Sequence, residues 1–184
     1  MSPPPRIERN HAALAVIDTQ ERLLPATHQH ERIVQNCQRL ICGAAILGMP
    51  ILATEQYPRG LGRTIPEIKA ALGSVLPLEK TAFSACGAPG FLDALRDGKI
   101  KEVLLCGVEA HVCVSQTCLD LIAAGFEVFV VADAVSSRTP ENCAIGLRRM
   151  EHAGAAIVST EMALFELLQR AGTEEFKKIL ELVK

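Results

Sequence analysis

Three residues in this sequence have the right chemistry for nucleophilic catalysis: the thiol of Cys113, the carboxylate of Asp18 and the ammonium of Lys80. A free thiol titrates near ~8.5, and a helix N-terminus with a neighbouring ammonium lowers that by one or several units. Cys113 lies where Gly107-Val108-Glu109-Ala110 leads from an apolar run into a helical stretch. An activated thiolate is therefore expected there if Lys80 adjoins it. Asp18 would take the thiol proton and later hand it to a leaving group. Backbone N–H groups around Glu109 and Cys113, at a loop entering a helix, are natural donors to an oxyanion. These parts suit attack on a carbonyl or amidine carbon. Each residue also has an ordinary alternative: the thiol as packing, the Asp as a cap or turn, the Lys facing solvent.

Elements must bring these residues together. Strand-like runs recur at Ala12 to Ile17, Pro50 to Thr54, Val75 to Leu78, Glu102 to Cys106, Glu127 to Ala132 and Ala155 to Val158. Several are continuously apolar, as strands buried on both faces of a parallel sheet read. Between them, Ile33, Cys37, Leu40, Ile41, Ala44 and Ile46–Leu47 form a helical stripe ended by Gly48 and Pro50. Thr139-Pro140 caps a helix closed by Gly154, Thr173 caps a C-terminal one, and a shorter one follows Pro89. The expected fold is α/β: one domain over 1–184, a doubly wound, Rossmann-like six-stranded parallel sheet with helices on both faces. Residues 1–10 are expected to be loose and 173–184 to form the last helix.

Ligands of such sheets bind outside the carboxyl ends of the strands. There the chain delivers Asp18-Thr19-Gln20, Glu55-Gln56, Glu79-Lys80, the Cys113 turn and Asp133. Tyr57, Gln56 and Phe83 follow strand ends at the same edge and are expected to line a pocket, with Gln20 and Ala110 completing the substrate-contacting set. The segment Gln56 to Pro66 reads as a surface loop or a lid.

Composition narrows the classes. Of 184 residues 49% are hydrophobic and 22% charged, which excludes a disordered chain. A net charge of −2, no Lys/Arg cluster and 4% aromatics argue against a nucleic-acid surface. No apolar run reaches the ~20 residues of a spanning helix. Met1-Ser2-Pro3-Pro4-Pro5 has no apolar signal core, so a cytoplasmic protein is expected. The 7 cysteines include no Cys-x2-Cys pair, so reduced thiols and no structural zinc are expected.

Three segments, taken in order, resemble the isochorismatase-like cysteine hydrolases: Ala15-Val16-Ile17-Asp18-Thr19-Gln20, Glu79-Lys80-Thr81-Ala82-Phe83-Ser84 and Gly107-Val108-Glu109-Ala110-His111-Val112-Cys113-Val114. The resemblance runs from Ala12 to Leu168. Thr54-Glu55-Gln56-Tyr57-Pro58-Arg59-Gly60-Leu61-Gly62 and Val131-Ala132-Asp133-Ala134-Val135-Ser136-Ser137-Arg138 are similar to the isochorismatase domain-containing branch. It implies a Cys–Asp–Lys triad at Cys113, Asp18 and Lys80. It also implies a cis peptide at Val108–Glu109 that turns the Glu109 and Cys113 amides toward the oxyanion, and assembly as a dimer, tetramer or octamer. The nicotinamidase branch holds a metal after its second strand with an Asp and several His; here no His lies between His30 and His111. No metal and no cofactor are therefore expected. Glu109 stands where small residues are common among the amidases, and is expected to narrow the pocket or repel an anion.

The resulting expectation is a metal-independent hydrolase of a small-molecule amide or imide through a thioester. Two other uses of the fold stay open: a thiol sensor oxidised at Cys113, and an oligomeric scaffold. His111 is expected to cap or face solvent, Cys118 to pack, and Arg59, Arg63 and Arg138 to lie at the surface.

Overall fold

The structure, a computed structural model, describes residues 6–184. Six parallel strands form one sheet: β1 (Ala12–Ile17), β2 (Ile51–Gln56), β3 (Leu78–Lys80), β4 (Glu102–Val108), β5 (Glu127–Ser136) and β6 (Ala156–Val158). Their spatial order is β3-β2-β1-β4-β5-β6. The helices are α1 (His30–Leu47), α2 (Pro58–Leu61), α3 (Pro66–Leu72), α4 (Phe91–Asp97), α5 (Ser115–Ala123), α6 (Pro140–His152), α7 (Thr160–Leu168) and α8 (Glu174–Val183). The order runs outward in both directions from the β1–β4 pair, so the topological switch point lies between those strands, where such sheets open a crevice.

All six residues of β1 are buried. Because side chains alternate across a strand, Ala12, Leu14 and Val16 join the core beneath α1, α3, α7 and α8. Ala13, Ala15 and Ile17 join a second core beneath α4, α5 and α6. Continuous apolarity in the sequence is thus burial on two faces. The helix ends follow the expected caps: Thr139 Oγ1 accepts from Asn142 N at 3.2 Å and Thr173 Oγ1 from Phe176 N at 3.0 Å.

Strand ends differ from the sequence expectation. The third strand begins at Leu78, beyond the apolar Val75-Leu76, because Pro77 has no N–H to donate and Leu76 is exposed. Leu78, Glu79 and Lys80 pair with Thr54, Glu55 and Gln56 instead. β5 runs on to Ser136, so Asp133 is not a strand-end residue. Its Oδ1 caps α7, accepting from Thr160 N at 2.7 Å and Thr160 Oγ1 at 2.9 Å. Residues 7–10, expected to be loose, are held in place: Ile7 is buried, and Arg9 makes a bidentate pair with Glu175 at 2.9 and 3.0 Å. The Met1–Pro5 expectation lies outside the described residues. No helix among them is long and apolar enough to cross a membrane.

One glycine is essential to the switch point. Gly107 in β4 has φ +108°, and a Cβ there would collide with the backbone of Ile17 in β1. Gly107→Ala is expected to lose at least ~2 kcal/mol of stability, read as a lower urea midpoint.

Candidate active site

Asp18 follows β1 in a left-handed conformation, φ +49°, which aims its carboxylate across the switch point. Its Oδ1 accepts from Thr54 Oγ1 at 2.7 Å and its Oδ2 from Lys80 Nζ at 2.7 Å. The side chains of Asp18 and Lys80 are wholly buried. Lys80 Nζ also donates to Gln56 Oε1 at 2.7 Å and to the carbonyls of Phe83 (3.0 Å) and Ala82 (3.3 Å). Four acceptors therefore surround three ammonium protons. Such a charge pair is tolerable in the interior only when its remaining hydrogen-bonding capacity is met, as it is here.

Cys113 comes from a π-helical turn, Ala110–Val114, between β4 and α5. Thr117 holds that turn, donating to the Cys113 carbonyl at 2.7 Å and accepting from Ala85 N at 2.8 Å. α6 lies against the turn because residue 146 is glycine: a Cβ there would come within 3.0 Å of the Ala110 and His111 backbone. The Val108–Glu109 peptide is cis, as the resemblance implied. His111 is not a partner of the thiol; its Nδ1 meets Ser137 Oγ at 2.9 Å, tying the turn to the end of β5.

The thiol of Cys113 is buried, and the Asp18 carboxylate acts on it electrostatically. Burial and the Asp18 carboxylate push it up to about 12, against a smaller downward pull from Lys80. The expected low-pKa thiolate is corrected by this. The helix terminus and the ammonium do not win, because desolvation penalises the anion and Lys80's charge is already matched by Asp18. The arrangement is a neutral thiol beside an oriented carboxylate, which can accept the proton as the sulfur attacks.

The remaining expected contact residues divide. Gln20 is fully buried, and its amide is consumed by backbone: Oε1 accepts from Gln56 N at 2.7 Å, Nε2 donates to Gln56 O at 3.0 Å and Gly62 O at 2.7 Å. Gln56 is spent between Lys80 and the Thr81 carbonyl, the latter at 2.8 Å. Both amides therefore hold the site's framework and offer no free group to a ligand. Ala110 is likewise wholly buried. Tyr57 and Phe83 remain about half exposed, at 54% and 53%. Tyr57, Arg59, Glu79, Lys80 and Thr81 border a hollow of about 470 Å³ on that side.

The Gln56–Pro66 segment is stitched down rather than free. Ile65 N donates to Thr19 O at 3.0 Å, Glu21 N to Arg63 O at 3.0 Å, and Glu55 Oε1 accepts from Thr64 N at 2.7 Å. Thr54, Thr117 and Ser137 support the site although the sequence marked none of them for that role. Only strand register shows Thr54, which pairs with Ile17 next to Asp18.

Among the described residues no group of three or more His, Cys, Asp or Glu side chains is gathered to hold a metal ion, and all seven cysteines are free.

The isochorismatase domain family matches residues 12–162. Isochorismatase domain-containing protein 2A of Mus musculus is 38% identical over 181 residues, covering 97% of this chain and 85% of its own. The secreted isochorismatase effector Isc1 of Phytophthora sojae is 39% identical over 184 residues, covering 97% and 87%. The MAR1 ribonuclease structure from Caenorhabditis elegans superposes with a TM-score of 0.92 at 39% identity, covering 97% of this chain and 92% of that one. YcaC from Pseudomonas aeruginosa, solved with hexane-2,5-diol and covalent acrylamide, also reaches 0.92, at 26% identity, covering 99% and 93%. With the family matched across most of its length and a parallel sheet of the same fold beneath the site, this chain belongs to the isochorismatase family of hydrolase-fold proteins.

Proposed function

We propose that this chain is a metal-independent hydrolase that cleaves a small-molecule amide or imide C–N bond through Cys113, Asp18 and Lys80. The observation that carries this is the Asp18 carboxylate, fixed by Lys80 and Thr54 beside the buried thiol of Cys113. Cys113 Sγ bonds to the acyl carbon as its proton passes to Asp18. The oxyanion meets the backbone N–H groups of Glu109 and Cys113. It collapses as the C–N bond breaks, and Asp18 returns the proton to the departing nitrogen. Water then adds to the thioester, giving a proton to Asp18. The carboxylic acid leaves and that proton goes back to the sulfur. Lys80 holds Asp18 oriented throughout, and Gln20 and Gln56 hold the backbone around them. Tyr57 borders the hollow beside Lys80.

The covalent acrylamide in YcaC supports the reading from a relative, since acrylamide is an electrophile to which thiolates add. The name of the nematode relative points instead to RNA. The net charge of −2 and the fully engaged Lys80 favour a small neutral molecule here. A cytoplasmic homo-oligomer without cofactor completes the reading.

The test is a panel of small amides and imides, followed by carboxylate release and by intact mass for an acyl-enzyme that hydroxylamine removes. A Cys113-linked acyl adduct with turnover is expected. Cleavage of RNA with no amide turned over would overturn the reading, and peroxide oxidation of Cys113 with no turnover would favour a thiol sensor. The electrostatics make a separate prediction. With the thiol pushed up to about 12, iodoacetamide labelling of Cys113 should climb about tenfold per pH unit from neutrality to pH 10 with no plateau. A plateau near pH 7 would mean a preformed thiolate.

A further inference from the structure

Glu109 opens the π-helical turn that carries Cys113, and the mechanism leaves its side chain unused. It is 8% exposed, an unusual place for a charged group without purpose. Its Oε1 is fixed twice by one residue, accepting from Arg138 N at 3.1 Å and Arg138 Nε at 3.0 Å. Its Oε2 accepts nothing among the described residues. Yet no buried side-chain nitrogen or oxygen there lacks a partner. Oε2 is therefore the oxygen left open, on a side chain clamped in one orientation.

The charge balance around the thiol is uneven. Asp18 is matched by a buried ammonium 2.7 Å away. Among the described residues Glu109 is matched by Arg138 alone, whose side chain is 65% exposed and whose charge water screens. An acceptor oxygen with no partner among the described residues is thus held on the residue that opens the turn of the nucleophile.

We propose that Glu109 selects the substrate: its open Oε2 accepts an N–H of the substrate and admits neutral or cationic amides, ureides or amidines while rejecting carboxylates at that position. The selection rests on the reading of Cys113 as nucleophile. Arg138 acts through Glu109, as a positioning residue that sets how much of the charge a ligand feels.

The test uses two alkylating probes of nearly equal size, neutral iodoacetamide and anionic iodoacetate, on the whole folded chain at pH 9. The rate at Cys113 is read by peptide mass spectrometry, and the ratio of the two rates is referred to that of a simple thiol. Changes in the thiol's own acidity move both rates together and cancel in the ratio. The wild-type ratio is expected to exceed that of the simple thiol by about tenfold or more, the scale of a partly screened charge several ångströms away. Glu109→Gln keeps the size and an oxygen for Arg138, and should shrink that excess severalfold. Arg138→Ala leaves the carboxylate less neutralised and should widen it. Ratios within about twofold of wild type in both variants would overturn the selection role, even with Cys113 fully reactive. If neither probe labels Cys113 in folded protein, the nucleophile reading fails, and the selection falls with it.

Discussion

Cys113→Ala is expected to abolish hydrolysis, by on the order of 10⁴-fold or more, since every step of the proposed chemistry passes through the sulfur. The chain should still fold. The substitution removes one buried sulfur from a turn that Thr117 and Gly146 position through backbone contacts, a loss of ~1 kcal/mol. The removal also relieves Asp18 of a neighbour without orphaning any other group, because both Asp18 oxygens retain their partners at 2.7 Å. Steady-state turnover and a urea melt of the same variant therefore separate chemistry from folding. Turnover that survives in Cys113→Ala would remove the thiol from the mechanism altogether.

Lys80→Ala should cost in both respects. Asp18 would remain buried with its counter-charge gone, and Gln56 Oε1 and the carbonyls of Ala82 and Phe83 would each lose a donor. Breaking a buried pair by removing one partner costs ~3–5 kcal/mol, because the surviving charge is left in the interior. Denaturant unfolding measures it. The double variant Asp18→Asn with Lys80→Ala should be less unstable than the two single losses summed, since the orphaned carboxylate is gone. Strict additivity would mean the pair is not coupled. The thiol responds as well: Lys80 is the one group pulling Cys113 downward, so its loss drives the thiol further up. Labelling of Cys113 at a fixed alkaline pH should then slow relative to wild type. A variant that labels at the wild-type rate would deny Lys80 that influence.

The framework was legible in the chain because local rules and the global fold agree. Ala12–Ile17 reads as apolar on every residue, and a strand with both faces covered has no polar positions to alternate with. The stripe Ile33, Cys37, Leu40, Ile41, Ala44 emerges as the buried face of α1, closed by Gly48 at φ +67°. Where patterns misled, a neighbour decided. Val75-Leu76 is as apolar as a strand, but Pro77 has no N–H, and pairing with β2 starts one residue later. Asp133 sat at the end of an apolar run, yet β5 continues past it and α7 takes its carboxylate as a cap.

By itself the sequence determined the residues available for chemistry. It also determined the alternation of strand and helix, and hence that Asp18, Lys80 and the Cys113 turn leave their strands at one edge of a parallel sheet. Tertiary structure alone decided what state those groups are in. Register brought Thr54 under Asp18 and consumed Gln20 and Gln56 as supports. Packing around the π-helical turn buried Cys113, and that burial outweighs the pull of Lys80 on its thiol. The same packing clamped Glu109 against Arg138 with one oxygen open. Charge state depends on solvation and on every neighbour within several ångströms, and those neighbours come from strands far apart in the chain.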